Sequence, residues 1–337
     1  MDVYYDVNMW GKGRHKTKLT AVPVRKTVFW GKERQELFIP AVYTGKAGVV
    51  LDVCAKISTE AMAAFLKKWN KERRMSLKTP EQREQIDADN PGSRDFLIEM
   101  RLDGVPLVLR MSSSLRWYPK QIIGMENADS VEENEFQNDV YAEEWMHAYG
   151  CDRECCWHFS RLTYNWGEEK ILSPRKIALS FRANMVSVVA GHFMTDLSCN
   201  EETVKAVHPV TGQEYTLTLH TCEQMRHSFA EIGKKGILYP EHCLILSYDV
   251  TPEIDRGLLD IRDCAQGDHP KKEDTVKEKG GETDGASAVF MAGKSAILER
   301  RAAVSSMHFE PVRQVQWRIV FEVKEREDLE VCFLTEG

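Results

Sequence analysis

At 337 residues the chain can bury a sizeable core, and cores of this size usually divide, so two domains are expected. A hydrophobic fraction of 42% and a charged fraction of 29% are those of an ordinary globular protein, which argues against a disordered chain and a membrane-embedded one. The formal net charge of −7, from 45 Lys and Arg against 52 Asp and Glu, repels phosphate backbones and argues against nucleic acid as a partner.

The N-terminal arm, from Met1 to Trp10, is acidic and aromatic and lacks the basic start and apolar core of a secretory leader. Apolar-rich runs at 22–30, 37–43 and 49–57 are predicted strands. Ser58 and Thr59 then cap a predicted helix over 59–73, because Met62, Phe65, Leu66 and Trp69 recur at helical spacing. Thr79-Pro80-Glu81-Gln82 is a capping box with proline at the first helical position, which predicts a short helix over 80–88.

Runs at 96–102 and 105–111 flank Asp103-Gly104, a pair suited to the positive φ angles of a tight hairpin. A further capping box, Ser130 with Glu133, opens a predicted helix through Phe136, Val140, Tyr141, Trp145 and Tyr149 to Gly150. That helix is expected to bridge two β-rich modules, 1–125 and 176–337, through a helical segment at 126–175.

The second module opens with strand-like runs over 176–193, breaks at polar 199–205, and resumes as a strand at 214–220 after a turn carrying Thr211-Gly212. Thr221-Cys222-Glu223-Gln224 caps an expected helix through Met225, Phe229 and Ile232 to Gly233. A strand follows at 244–250. Residues 265–287, rich in Gly, Lys, Glu and Asp, bury too little to offset ordering and are expected to form a disordered loop. Runs at 315–323 and 329–334 are expected to close the module as a strand pair.

The predicted fold class is mainly β (α+β), two β-sandwich-like modules of antiparallel strands with a few covering helices. A weak echo links 49–60 with 244–253, and 96–100 with 319–323. Duplication of one β module would explain it; so would the period-two patterning that any two amphipathic strands share.

The densest reactive cluster is His147, Cys151, Cys155, Cys156 and His158. Thiolates and imidazoles at short spacing suit zinc, although no second pair of ligands follows. The competing expectation is that Cys155, Cys156, Trp157 and Phe159 enter the core. A second cluster is His220, Cys222 and His227. At the first turn of a helix the Cys222 thiol would be activated as a nucleophile; the competing reading makes it a small residue filling a corner.

The run 288–295 fits the spelling of a phosphate-binding loop, but bulky Val289, Phe290 and Met291 replace the glycine-rich turns that such a loop needs. Trp117-Tyr118, and Trp157 with Tyr164 and Trp166, suit either a stacking surface or the core. Nine cysteines, an odd number outside a secretory context, are expected as reduced thiols. No run approaches the roughly 20 apolar residues of a membrane-crossing helix.

These features predict a soluble, cytoplasmic, non-catalytic binding or scaffold protein with an aromatic-lined groove between its modules. A small molecule or a protein is the expected partner, and β edges offer a route to a homo-oligomer. The alternative is a hydrolase using zinc at the first cluster or a thiolate at Cys222.

Overall fold

The structure, a computed structural model, describes residues 1–5, 7–9, 17–69, 79–92, 96–123, 140–228, 236–272, 300–324 and 326–335. It is mainly β, with antiparallel sheets and four helices among the described residues. In chain order the elements begin with β1 (Thr20–Trp30), β2 (Gln35–Gly45), β3 (Gly48–Ile57), α1 (Thr59–Trp69) and α2 (Pro80–Asp89). They continue with β4 (Phe96–Leu102), β5 (Val105–Pro106), β6 (Val108–Trp117), α3 (Lys120–Ile123), α4 (Val140–Tyr149), β7 (Cys156–Asn165) and β8 (Lys176–Ala183). Next come β9 (Met185–Asp196), β10 (Asn200–Val207), β11 (Glu214–Arg226), β12 (Ile237–Leu238), β13 (His242–Thr251) and β14 (Leu259–Asp263). The last are β15 (Lys271–Lys272), β16 (Arg301–Val304), β17 (Gln314–Lys324) and β18 (Leu329–Leu334).

The chain forms two compact units. Unit 1 comprises Met1–Met75, Ile86–Asn184 and Lys324–Gly337; unit 2 comprises Ser76–Gln85 and Met185–Val323. Unit 1 holds a five-stranded sheet ordered β1-β2-β3-β7-β6 and a second sheet ordered β18-β8-β4-β5. Its main core runs between them, with Leu37, Val49, Leu51, Val53 and Leu162 meeting Ile98, Met100, Leu179 and Phe181.

The strand β3 is apolar almost throughout because both of its faces are covered. Val49, Leu51 and Val53 point into that core, Val50 packs under Val3, Tyr5 and Tyr43, and Cys54 lies with Trp145 and Met146 of α4. At Gly48 a side chain is excluded: a Cβ would lie 2.5 Å from the Tyr164 carbonyl oxygen and closer still to the Tyr5 ring.

Local signals read from the sequence have direct physical counterparts here. The Ser58 hydroxyl accepts from the Ala61 amide at 3.1 Å, and α1 buries Met62, Phe65, Leu66 and Trp69. Thr79 and Gln82 exchange both bonds of a capping box, at 3.1 and 3.3 Å. Asp103 and Gly104 adopt φ of 48° and 89°, the two positive values of a type I′ turn. The return strand, however, is short. Val105 and Pro106 pair with β4 and the Leu107 amide donates to the Met100 carbonyl at 2.9 Å, after which the chain crosses to the other sheet and β6 pairs with β7.

The segment 126–175, expected to be helical, contains α4 and then β7, an interior strand of the first sheet. The expected capping box at Ser130 and Glu133 lies outside the described residues. Trp117, Tyr118, Trp157 and Tyr164 are buried, so these aromatics belong to the core.

Unit 2 packs a sheet ordered β10-β11-β13-β16 against one ordered β14-β17-β9. Leu217, Leu219, Leu244 and Leu246 meet Ile261, Trp317, Ile319 and Phe321 between them. The expected break at 199–205 is strand β10, whose turn into β11 uses Gly212 at φ 72°. The expected helix from Thr221 is corrected too, since Thr221 to Arg226 continue β11 and pair with β13 through Arg226↔His242. Residues 229–233 of that expectation lie outside the described residues.

The expected pairing of 315–323 with 329–334 does not form. β17 pairs with β14, whereas β18 returns to unit 1 and pairs with β8. Different strand orders in the two units leave the expected internal duplication unconfirmed. Of the loop expected at 265–287, residues 265–272 are described and include β15 paired with β12; the remainder, like 288–295, lies outside the described residues.

Candidate functional site

Unit 1 encloses a charge centre. Asp52, fully buried on β3, accepts from Arg161 Nε at 2.8 Å and Nη2 at 2.7 Å, a bidentate pair set across neighbouring strands. Tyr149, at the end of α4, donates to the second Asp52 oxygen at 2.5 Å. Its single proton is thereby used, so Tyr43 is the donor in the 2.9 Å bond between the two phenols.

The Arg161 guanidinium also lies 4.8 Å from the centre of the Trp145 ring. Burial alone would lower the guanidinium pKa; the Asp52 carboxylate outweighs it and the net shift is upward. Burial, then the Asp52 charge, pushes the Tyr149 phenol up, and the same causes raise Tyr43. The arrangement keeps both phenols protonated and fastens α4 to the sheet.

Around this centre the structure distributes the residues predicted to hold zinc. His147 is exposed on α4. The Cys54 thiol is pushed up by burial and by its hydrogen bond to Cys151, which is lowered in turn. The Cys155 thiol donates to Asp152 at 3.4 Å. Cys156 packs with Ile57, Met62 and Leu66, and His158 is buried two residues along the same strand. The five donors do not converge: the one convergent group of three such ligands among the described residues lies elsewhere, in unit 2. Alternation along β7 sends Trp157 and Phe159 to the α4 side and Cys156 to the other, which disperses a cluster that is dense only in sequence.

In unit 2 the predicted nucleophile loses its premise. Cys222 sits inside β11, buried in the core and 3.5 Å from the Thr195 hydroxyl, and burial raises its thiol. Among the described residues its place is in a strand and not in the first turn of a helix. His220 is a bulge residue, because the register of β11 against β13 slips between Leu219 and Thr221. Its ring is held between Glu201, 3.0 Å from Nδ1, and Asp249, 2.7 Å from Nε2, and these two bonds raise its pKa. His227 lies beyond the strand end, its amide donating to the Glu241 carbonyl at 2.7 Å.

Three other side chains in unit 2 come together. Glu81 projects from the first turn of α2, His192 from β9 and Cys264 from the residue after β14, and their ligand atoms all lie within 4.8 Å of one another. His192 Nε2 is 3.1 Å from each Glu81 oxygen. Sequence reading missed this group because its members come from three distant segments. The one local signal is polar His192 interrupting an apolar strand.

Comparison of the chain with protein families, with curated proteins and with solved structures finds no match. Among the described residues no helix is long and apolar enough to cross a membrane.

Proposed function

We propose that the chain is a non-catalytic binding or scaffold protein that assembles by strand addition at the outer edge of β6, its partner a second copy of itself. One observation carries this reading: the edge segment Met111-Ser112-Ser113-Ser114-Leu115 is self-complementary. β6 is the last strand of the five-stranded sheet, and Val108, Leu109 and Met111 are 59, 39 and 37% exposed.

The opposite edge strand, β1, is blunted by Pro23, Lys26 and a register slip between them, the usual guards against edge pairing, whereas β6 has one slip, between Leu109 and Met111, outside the segment that would pair. Met111 to Leu115 carries neither proline nor charge. Antiparallel pairing about a two-fold axis at Ser113 sets Ser112 against the partner's Ser114, a favourable cross-strand pair in a closed, isologous contact, and Met111 beside the partner's Leu115, whose own side chain is buried in its core.

Sedimentation velocity over roughly a hundredfold concentration range tests this reading. The wild-type chain is expected to dimerise. The double substitution Ser112→Lys/Ser114→Lys sets like charges opposite each other and should give a monomer with unchanged circular dichroism. A wild-type monomer throughout, or a dimer indifferent to both lysines, would overturn the reading.

A further inference from the structure

We infer that Glu81, His192 and Cys264 form a binding site for a zinc-like divalent transition-metal ion, with its remaining coordination position open to water. The ligand types fit: zinc takes carboxylate oxygen, imidazole nitrogen and thiolate sulfur, and three protein ligands with one open position is the pattern of an accessible rather than a closed site. Ligands bound tetrahedrally at about 2.0–2.3 Å lie about 3.3–3.8 Å from one another. The three donors, mutually within 4.8 Å, need only small side-chain rotations to reach that arrangement.

Charge also fits. A carboxylate and a thiolate neutralise a dication, and the neutral imidazole adds a third donor. The Glu81 carboxylate already faces the His192 ring, each of its oxygens 3.1 Å from Nε2.

The segments that carry the ligands are held in place before any ion arrives. The capping box of Thr79 and Gln82 fixes the turn bearing Glu81. The Cys264 amide donates to the Gln316 carbonyl at 2.9 Å, and Asp263 beside it accepts from the Ala265 and Ser306 amides at 2.8 and 2.7 Å. His192 stands on a regular strand with its side chain 38% exposed, which leaves a path for the ion. A site on fixed elements with an entry path is what metal binding requires of a folded chain.

The test is titration of the chelator-treated full chain with Co²⁺, read by absorption, followed by Zn²⁺ calorimetry. One ion is expected per chain, with a near-ultraviolet thiolate-to-cobalt band that Cys264→Ser abolishes. His192→Ala and Glu81→Gln should each weaken Zn²⁺ binding at least about tenfold, as ligand loss must match or exceed the effect of losing an outer-layer partner. His192→Ala, an exposed position, should keep the wild-type circular dichroism. No thiolate band in the wild type, a band that survives Cys264→Ser, or Zn²⁺ affinity unchanged in His192→Ala would overturn the site.

Discussion

At the scale of the residue, His220 converts a backbone irregularity into a pH-dependent bond. The bulge places its ring between two carboxylates, Glu201 and Asp249, which are themselves 68 and 51% exposed. Hydrogen bonds to Glu201 and then to Asp249 raise the histidine above its ordinary value, against the opposing pull of burial and of Arg300. A raised folded value means that the stabilisation is fully present below the unfolded value of about 6.5 and is lost as pH rises through the folded one. The stability difference between the wild type and His220→Gln should therefore be larger at about pH 5.5 than at about pH 8.5 when read from urea unfolding. A difference that stays constant or grows with pH would refute the assignment. The histidine was legible as a candidate, but its role was not. Its partners lie on β10 and β13, and the bulge that orients it leaves no mark in the sequence. Asp52 and Arg161 were more legible in principle, since a charge within an otherwise apolar run such as Val49 to Ala55 must find a buried partner.

At the scale of the element, the same charge centre explains how α4 is held on its sheet. Trp145 and Met146 supply apolar burial, while Tyr149 reaches the Asp52 carboxylate already gripped by Arg161. A buried pair of this kind adds modest net stability yet is costly to halve, because one unmatched charge remains in a dry interior. Arg161→Met should cost about 3–5 kcal/mol, and Asp52→Leu/Arg161→Met should recover part of that loss, since no unmatched charge is then left buried although the Tyr149 hydroxyl loses its carboxylate acceptor. Chemical denaturation of the four proteins completes the cycle; a double variant as unstable as the sum of the singles would exclude the pairing argument. Elements set by local chemistry were readable: the periodicity of α1, the capping box of α2 and the turn at Asp103 and Gly104. β11 was read too short because its capping-box spelling also satisfies strand alternation. The slip at His220 changes the parity, so that Leu219 and Cys222 both point inward.

At the scale of the whole molecule, unit 1 is assembled from three separated stretches of chain, the last of which returns after unit 2 is complete. β18 lines the edge of β8, pairing Leu329 with Phe181 and Leu334 with Lys176. Leu329, Val331 and Phe333 pack on the unit 1 core. Around it, the Trp30 indole donates to the Glu327 carbonyl at 2.7 Å, and Arg326 covers the Trp30 ring at 4.6 Å. Sequence order hid this arrangement, because adjacent alternating runs usually pair with each other and β17 and β18 do not. The consequence is testable by removing residues 325–337. Three partly buried apolar side chains and a strand's hydrogen bonds are then lost, on the order of 3–6 kcal/mol and a large share of the stability of a domain. The two cores are built from different residues, so the loss should be confined to one of them. Hydrogen exchange should show β3, β4 and β8 losing protection in the truncated chain while β11, β13 and β14 keep theirs. Protection retained in β8 would show that unit 1 stands without its last strand, and protection lost in both units would show that their cores do not fold independently.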